Sequence, residues 1–144
     1  MTRSIISVLL IVGILYSCGQ GSSAKPSCSN PVGTWRNISV SGSEMVIEKY
    51  DANTGQITGK YRTGTGAAGF YPLVGWINSA APAPKGDNAS VISFTVRWNA
   101  LGAITSWTGT CKGDTIKTIW NLASANASYD WGHIQTGSDV FLPQ

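Results

Sequence analysis

The sequence predicts an all-β domain, an eight-stranded antiparallel up-and-down β-barrel. Three observations carry this. From residue 33 on, apolar and polar residues alternate with a period of two, as in strands with one buried face. Clusters of Gly, Pro, Asn and Asp punctuate the alternating runs at short intervals. Beyond the N-terminal apolar run, no segment carries a helical stripe. The composition agrees: 17 Gly, six Trp and five Tyr among 144 residues favour pleated strands joined by tight turns.

The strands read in order as "GTWRNISV" (33–40), "SEMVIEKYD" (43–51), "QITGKYRT" (56–63), "YPLVGWIN" (71–78), "SVISFTVRWN" (90–99), "ITSWTGTCK" (104–112), "TIKTIWNLA" (115–123) and "HIQTGSDVF" (133–141). "DANTG" ends the second and the Gly-rich "GTGAAG" follows the third. "SAAPAPKGDNA" is a loop by its Pro, Gly and Asp content, and "ALGA" and "GD" are short links. Parity sorts the faces. Ile92, Phe94, Val96 and Trp98 share one, as do Ile57, Gly59, Tyr61 and Thr63. So do Thr105, Trp107, Gly109 and Cys111, then Ile116, Thr118, Trp120 and Leu122, then His133, Gln135, Gly137, Asp139 and Phe141. A barrel of eight strands has room for side chains or one small ligand. A barrel built only for stability would fill its interior with aliphatic residues. This one mixes Trp with Tyr, Thr and Asp, and buried polar groups need partners. A polar ligand is the natural partner.

The N-terminus reads as an export segment. Arg3 precedes an apolar run from Ile5 to Leu15, the length of a signal core and short for a membrane span. "LYSCGQ" then offers Cys18 for lipidation, although Tyr16 stands where a small or aliphatic residue is usual. Cleavage after Ala24 is the alternative. Residues 1–27 are thus read as signal and lead, and 28–144 as the barrel domain. The expected location is secreted, periplasmic or extracellular, with a lipid anchor as the only route to a membrane. If Cys18 is lipidated or removed, Cys28 and Cys111 remain. Export favours a disulfide between them; two free buried thiols are the other reading.

Function classes narrow quickly. Charged residues are 12% of the chain, the formal net charge is +3, and Lys and Arg are scattered. That is no footprint for nucleic acid. The single histidine, His133, lacks the Cys, second His or clustered acids of a metal site, and no activated Ser or Cys nucleophile is visible. An enzyme is therefore not expected, and no cofactor or metal. His133 has no assignable role; its place at a strand start beside a loop suggests exposure. Asn37, Asn88 and Asn126 each begin an N-x-S sequon, with Asn37 expected to be buried and bare.

Seven motifs in order, "GTWRN" with "GSEM", "TGKY", "FTVRW", "WTGTC", "IKTIWNL" and "DWGHIQTGSDVF", resemble the avidin and streptavidin family over about residues 28–141. No single motif is very specific; the ordered set is. The resemblance implies high-affinity non-covalent binding of biotin, whose ureido head has one acceptor oxygen and two N–H donors. It implies Asn37, Ser43 and Tyr61 as donors to the ureido oxygen, with Ser41 a rival to Ser43 because "NISVSGSEM" is about two residues longer than usual. It implies Asp139 and Thr63 as acceptors for the two N–H groups, and a charged acceptor roughly doubles a hydrogen bond's strength. Trp98, Trp107 and Trp120 match an aromatic box, Leu122 an apolar neighbour, and Thr105 a hydroxyl facing the ring sulfur. Backbone N–H groups of Gly66 and Ala67, in the closing loop "GTGAAG", match the carboxylate holders.

One departure touches the tail. Leu101 and Ala103 stand where the family often has serines, so the biotin tail is expected to be held less firmly than the head. Trp131 matches the residue that caps a neighbouring subunit's pocket and implies a homotetramer. Of the residues matching a second, smaller interface, Ile119, Thr136 and Ser138, only Ile119 is apolar, which keeps a dimer open. The rival function is an avidin-like structural or adhesion domain with a weak or lost site. A lipocalin-like carrier is a distant third.

Overall fold

A computed structural model describes residues 24–79 and 86–144. The signal segment, Cys18 and residues 80–85 lie outside the described residues. Eight strands follow in chain order: β1 (Gly33–Asn37), β2 (Glu44–Tyr50), β3 (Gln56–Arg62), β4 (Tyr71–Asn78), β5 (Ser90–Trp98), β6 (Ala103–Lys112), β7 (Thr115–Ser124) and β8 (Ile134–Pro143). Each pairs antiparallel with its sequence neighbour, and β1 pairs with β8, so the sheet closes into one up-and-down barrel. The expected fold class is the observed one. Closure removes the free edges that an open sheet would expose.

The barrel interior is graded along its axis. Trp35, Met45, Ile47, Phe94, Ile116 and Phe141 are almost wholly buried and form an apolar floor. Polar residues Asn37, Ser43, Thr105, Thr118 and Asp139 are also buried, among the aromatic side chains above that floor. The β1–β2, β3–β4, β5–β6 and β7–β8 connections all fall at this polar end, because an up-and-down chain reverses at alternate ends. At the opposite end Cys28 and Cys111 form a disulfide (S–S 2.05 Å, Cα–Cα 5.6 Å), which overturns the free-thiol reading and ties the lead segment to β6. Trp35 Nε1 donates to the Pro31 carbonyl (2.9 Å), seating the lead against the floor.

Boundaries differ from sequence expectation where side chains compete with the ladder. The first strand was expected to reach residue 40 and stops at Asn37. The Asn37 carboxamide oxygen accepts from the N–H groups of Ser39 (2.8 Å) and Val40 (3.2 Å), turning the chain as an Asx turn does. In β2 the register shifts between Ile47 and Lys49, so Glu48 is an extra residue that period-two alternation does not foresee. The "ALGA" link contains a 3-10 turn, Asn99–Leu101, closed by Gly102 in the left-handed region. His133 is not the first residue of the last strand. It ends a 3-10 turn, Asp130–His133, and is half-buried rather than exposed. Its Nδ1 donates to the Ser124 carbonyl (2.7 Å), so its role is to pin the β7–β8 connection.

The disulfide spans 83 residues of sequence. Replacing both cysteines by alanine should lower the unfolding free energy by about 2–4 kcal/mol, since the unfolded chain regains the entropy of an open loop. Urea unfolding with and without reductant measures this; an unchanged midpoint would contradict it.

Candidate functional site

A cavity of about 310 Å³ opens at the polar end of the barrel. This is near the lower bound of small-molecule sites, roughly 300–1,000 Å³. Its wall contains Ser43, Tyr61, Thr63, Gly66, Ala67, Trp98, Thr105, Trp107, Trp120, Leu122 and Asp139, all singled out from sequence. Asn37 stands just behind the wall, beside Tyr61. Ser43 is buried on this wall and Ser41 is exposed. Val40, Thr65 and Gln135 also line the cavity. Val40 and Thr65 lie in loops, where parity gives no direction; Gln135 shares the inner parity of β8 with Asp139 but was given no part. Leu101 and Ala103, read from sequence as a departure, are both at the wall.

The polar groups are arranged by a simple rule: the protein uses up one role of each and leaves the other facing inward. Asn37's oxygen is occupied by the Ser39 and Val40 N–H groups, which fixes its amide toward the interior, where Nδ2 donates to the Tyr61 hydroxyl (3.3 Å). That hydroxyl, having accepted, keeps its own hydrogen to give. Ser43 Oγ accepts from the Gly64 N–H (2.7 Å) and likewise retains a hydrogen. Thr105 Oγ1 accepts from Trp98 Nε1 (2.7 Å) and retains one too.

On β8, the strand that pairs with β1, stands an acceptor. Asp139 is 4% exposed, and its Oδ2 accepts from Trp107 Nε1 (2.8 Å). Its Oδ1 is buried and accepts nothing from any described residue. A buried carboxylate oxygen without a donor is costly. Thr63 Oγ1 already accepts from Thr65 N–H (3.2 Å), leaving one lone pair for a second such donor.

The apolar walls are rigid for identifiable reasons. Trp107 stacks on Phe94 (4.9 Å, 11° between planes) and lies beside Tyr61 (4.9 Å). Trp98 is held edge-on by Tyr71 (5.1 Å). Trp107 and Trp120 face each other across β6–β7, and Trp120 faces Gly137 across β7–β8. A Cβ at Gly137 would run into the Trp120 indole, so Gly137 is what lets that ring lie flat against β8. The sequence placed Gly137 on the inner face but gave it no part.

The loop between β3 and β4 borders the cavity. Its near end is tied by Gly64 N–H to Ser43, and a Cβ at Gly64 would strike the Ser41 carbonyl. At its far end Phe70 lies 5.2 Å from Lys60 Nζ and 5.3 Å from the Arg62 guanidinium, cations that also pair with Glu48 and Glu44. Ala67 N–H, read from sequence as a carboxylate holder, is engaged within the loop by the Thr65 carbonyl (3.2 Å); a three-residue turn consumes the donor. Trp131 is elsewhere. It is 78% exposed and stacks on Tyr129 (4.8 Å, 3°), outside the cavity of its own chain. Ile119, Thr136 and Ser138 face outward.

A family model described as "Avidin family" matches residues 25–144. The chain belongs to the avidin family. Avidin-related protein 4/5 of Gallus gallus is 30% identical over 151 aligned positions, covering 97% of this chain and 93% of that protein. Among solved structures, bradavidin is similar at TM-score 0.64 and 29% identity, covering 77% of this chain and 78% of the other. Xenavidin is similar at TM-score 0.63 and 30% identity, covering 80% and 97%. The avidin-like chain described here therefore keeps the family's barrel, with an interior that its own residues have left partly unpaired.

Tyr61 reports on this interior. Burial pushes its phenol above the ordinary value. Hydrogen bonds from Asn37 and Ser43 oppose that push, and the Asp139 charge adds to it. The sign follows: the stabilisation is fully present below the unfolded value of about 10 and is lost as pH rises through the folded value. An ultraviolet titration should find one tyrosine ionising later than the others, and Asp139→Asn should bring it down. A titration in which every tyrosine ionises near 10 would contradict this.

Proposed function

We propose that the barrel is a biotin receptor, binding the ureido head in its polar interior and the apolar ring between tryptophans. One observation carries the reading. Asn37, Tyr61 and Ser43 have had an acceptor oxygen occupied by protein donors and keep hydrogens for an incoming oxygen, while Asp139 Oδ1 is buried with no donor. A group with one strong acceptor flanked by N–H donors satisfies both, and a ureido group is such a unit. Thr63 supplies the second acceptor, and Thr105 a hydroxyl for the thioether sulfur. Trp98, Trp107, Trp120 and Leu122 supply apolar wall. Because the walls are packed before a ligand arrives, little ordering entropy opposes binding, and this supports high affinity.

In this reading the protein acts by sequestering biotin and performs no chemistry. It is exported, as the disulfide supports. It assembles as a homotetramer in which Trp131, exposed on its own chain, covers a neighbour's cavity.

Saturating biotin should raise the melting temperature by several degrees, since at about 1,000 Kd a ligand adds ~4 kcal/mol. No shift would favour an avidin-like structural domain instead. Asp139→Asn should weaken biotin by roughly 1.5–3 kcal/mol, about ten- to hundredfold, in a displacement titration. Undiminished affinity would sink the role given to Oδ1. Trp131→Ala should speed biotin release by stopped flow while leaving denaturant unfolding unchanged. Light scattering provides the companion check, where a monomeric mass contradicts the shared site.

A further inference from the structure

Trp131 is the most exposed large apolar side chain among the described residues, at 78%. An indole standing alone in water samples several rotamers, and covering a neighbour's cavity uses only one of them. Fixing that rotamer on docking costs side-chain entropy, which favours the uncovered state. The β7–β8 connection holds a group that reduces this cost.

That group is Tyr129. Its ring lies parallel to the Trp131 indole, with 3° between planes and 4.8 Å between centroids. Residues two apart do not meet on a helix, whereas they share a face of an extended chain. Tyr129 is extended (φ −146°, ψ 154°), and the 3-10 turn Asp130–His133 begins directly after it, so the rings meet at the junction. The turn is itself held in place. Gly132 N–H donates to the Tyr129 carbonyl (2.9 Å), and His133 Nδ1 donates to the Ser124 carbonyl (2.7 Å). Tyr129 covers one face of the indole and leaves the other open to solvent. Neither ring lines the cavity of its own chain.

We infer that Tyr129 is a positioning residue. Its stack presents Trp131 in the orientation that covers a neighbouring subunit's cavity, and Tyr129 acts on biotin release only through that indole. The inference rests on the lid role proposed above for Trp131. Stacking uses the ring and not the hydroxyl, so phenylalanine should serve in its place.

The test is the rate of biotin release from the intact protein, with light scattering for mass and urea unfolding for stability. Four variants are compared: Tyr129→Ala, Tyr129→Phe, Trp131→Ala and Tyr129→Ala with Trp131→Ala. Tyr129→Ala should speed release about two- to tenfold, the range an aromatic pair supplies, with mass and unfolding midpoint unchanged. Tyr129→Phe should restore the parental rate. On the Trp131→Ala background, Tyr129→Ala should change nothing further, since a residue that acts through another loses its effect with it. Unchanged release from Tyr129→Ala beside faster release from Trp131→Ala overturns the inference and leaves the lid role standing. Slower release overturns it as well, because the stack would then hold the indole back. A lowered mass makes Tyr129 an interface residue, and an undiminished effect on the Trp131→Ala background makes it act on the barrel directly; either result overturns the positioning role. If Trp131→Ala leaves release unchanged, the lid role has failed and the inference falls with it. If biotin does not bind, the biotin reading has failed and takes both with it.

Discussion

The hydrogen bond from Trp107 to Asp139 is the interaction on which the interior depends. It gives one oxygen of a buried carboxylate a donor, where an unpaired polar group is costly. Its anchor is apolar: Trp107 is stacked on Phe94, which meets Phe141, three strands away on β8. The floor of the barrel therefore sets the position of the charge above it. Burial pushes the Tyr61 phenol above its ordinary value, and the Asp139 charge adds to that push. Core packing, electrostatics and recognition are links of one chain here.

The donors Asn37 and Ser43 are oriented by the backbone of the loops. The Asx turn after β1 decides which way Asn37 points, and the Gly64 N–H decides what the Ser43 oxygen is doing. Both loops are then part of the recognition apparatus even where their side chains never touch a ligand. Gly64 also joins the β1–β2 and β3–β4 connections. At the other end of that loop, Phe70 sits against two cations whose own acidic partners lie on β2. The freely variable part of the loop is short.

Much of this was legible in the sequence. The alternation of Ile92, Phe94, Val96 and Trp98, or of Thr105 and Trp107, is a direct record of which face meets the interior. The avidin-like motifs added the expected partners, and nearly all those residues meet around one cavity. What escaped lies where period-two logic stops. Val40 and Thr65 reach the cavity from loops. Glu48 is an extra residue in its strand, and the use of Ala67 N–H in a local turn has no residue-type signature. His133 was read as exposed because a polar residue beside a loop usually is. Its bond to the Ser124 carbonyl depends on how the chain returns from a segment nine residues earlier.

The division has a physical basis. Sequence by itself determined the strands, their inner faces, the chemical types of the site residues and the pair of cysteines available for a cross-link, because strand geometry ties side-chain direction to residue number with no knowledge of neighbours. Tertiary structure alone decided that Ser43 and not Ser41 faces inward, that Gly137 makes room for Trp120, and that one oxygen of Asp139 is matched while the other is left open. Those outcomes depend on which distant groups arrive at hydrogen-bonding distance once the barrel closes. Distances between residues far apart in the chain are not encoded in any local pattern.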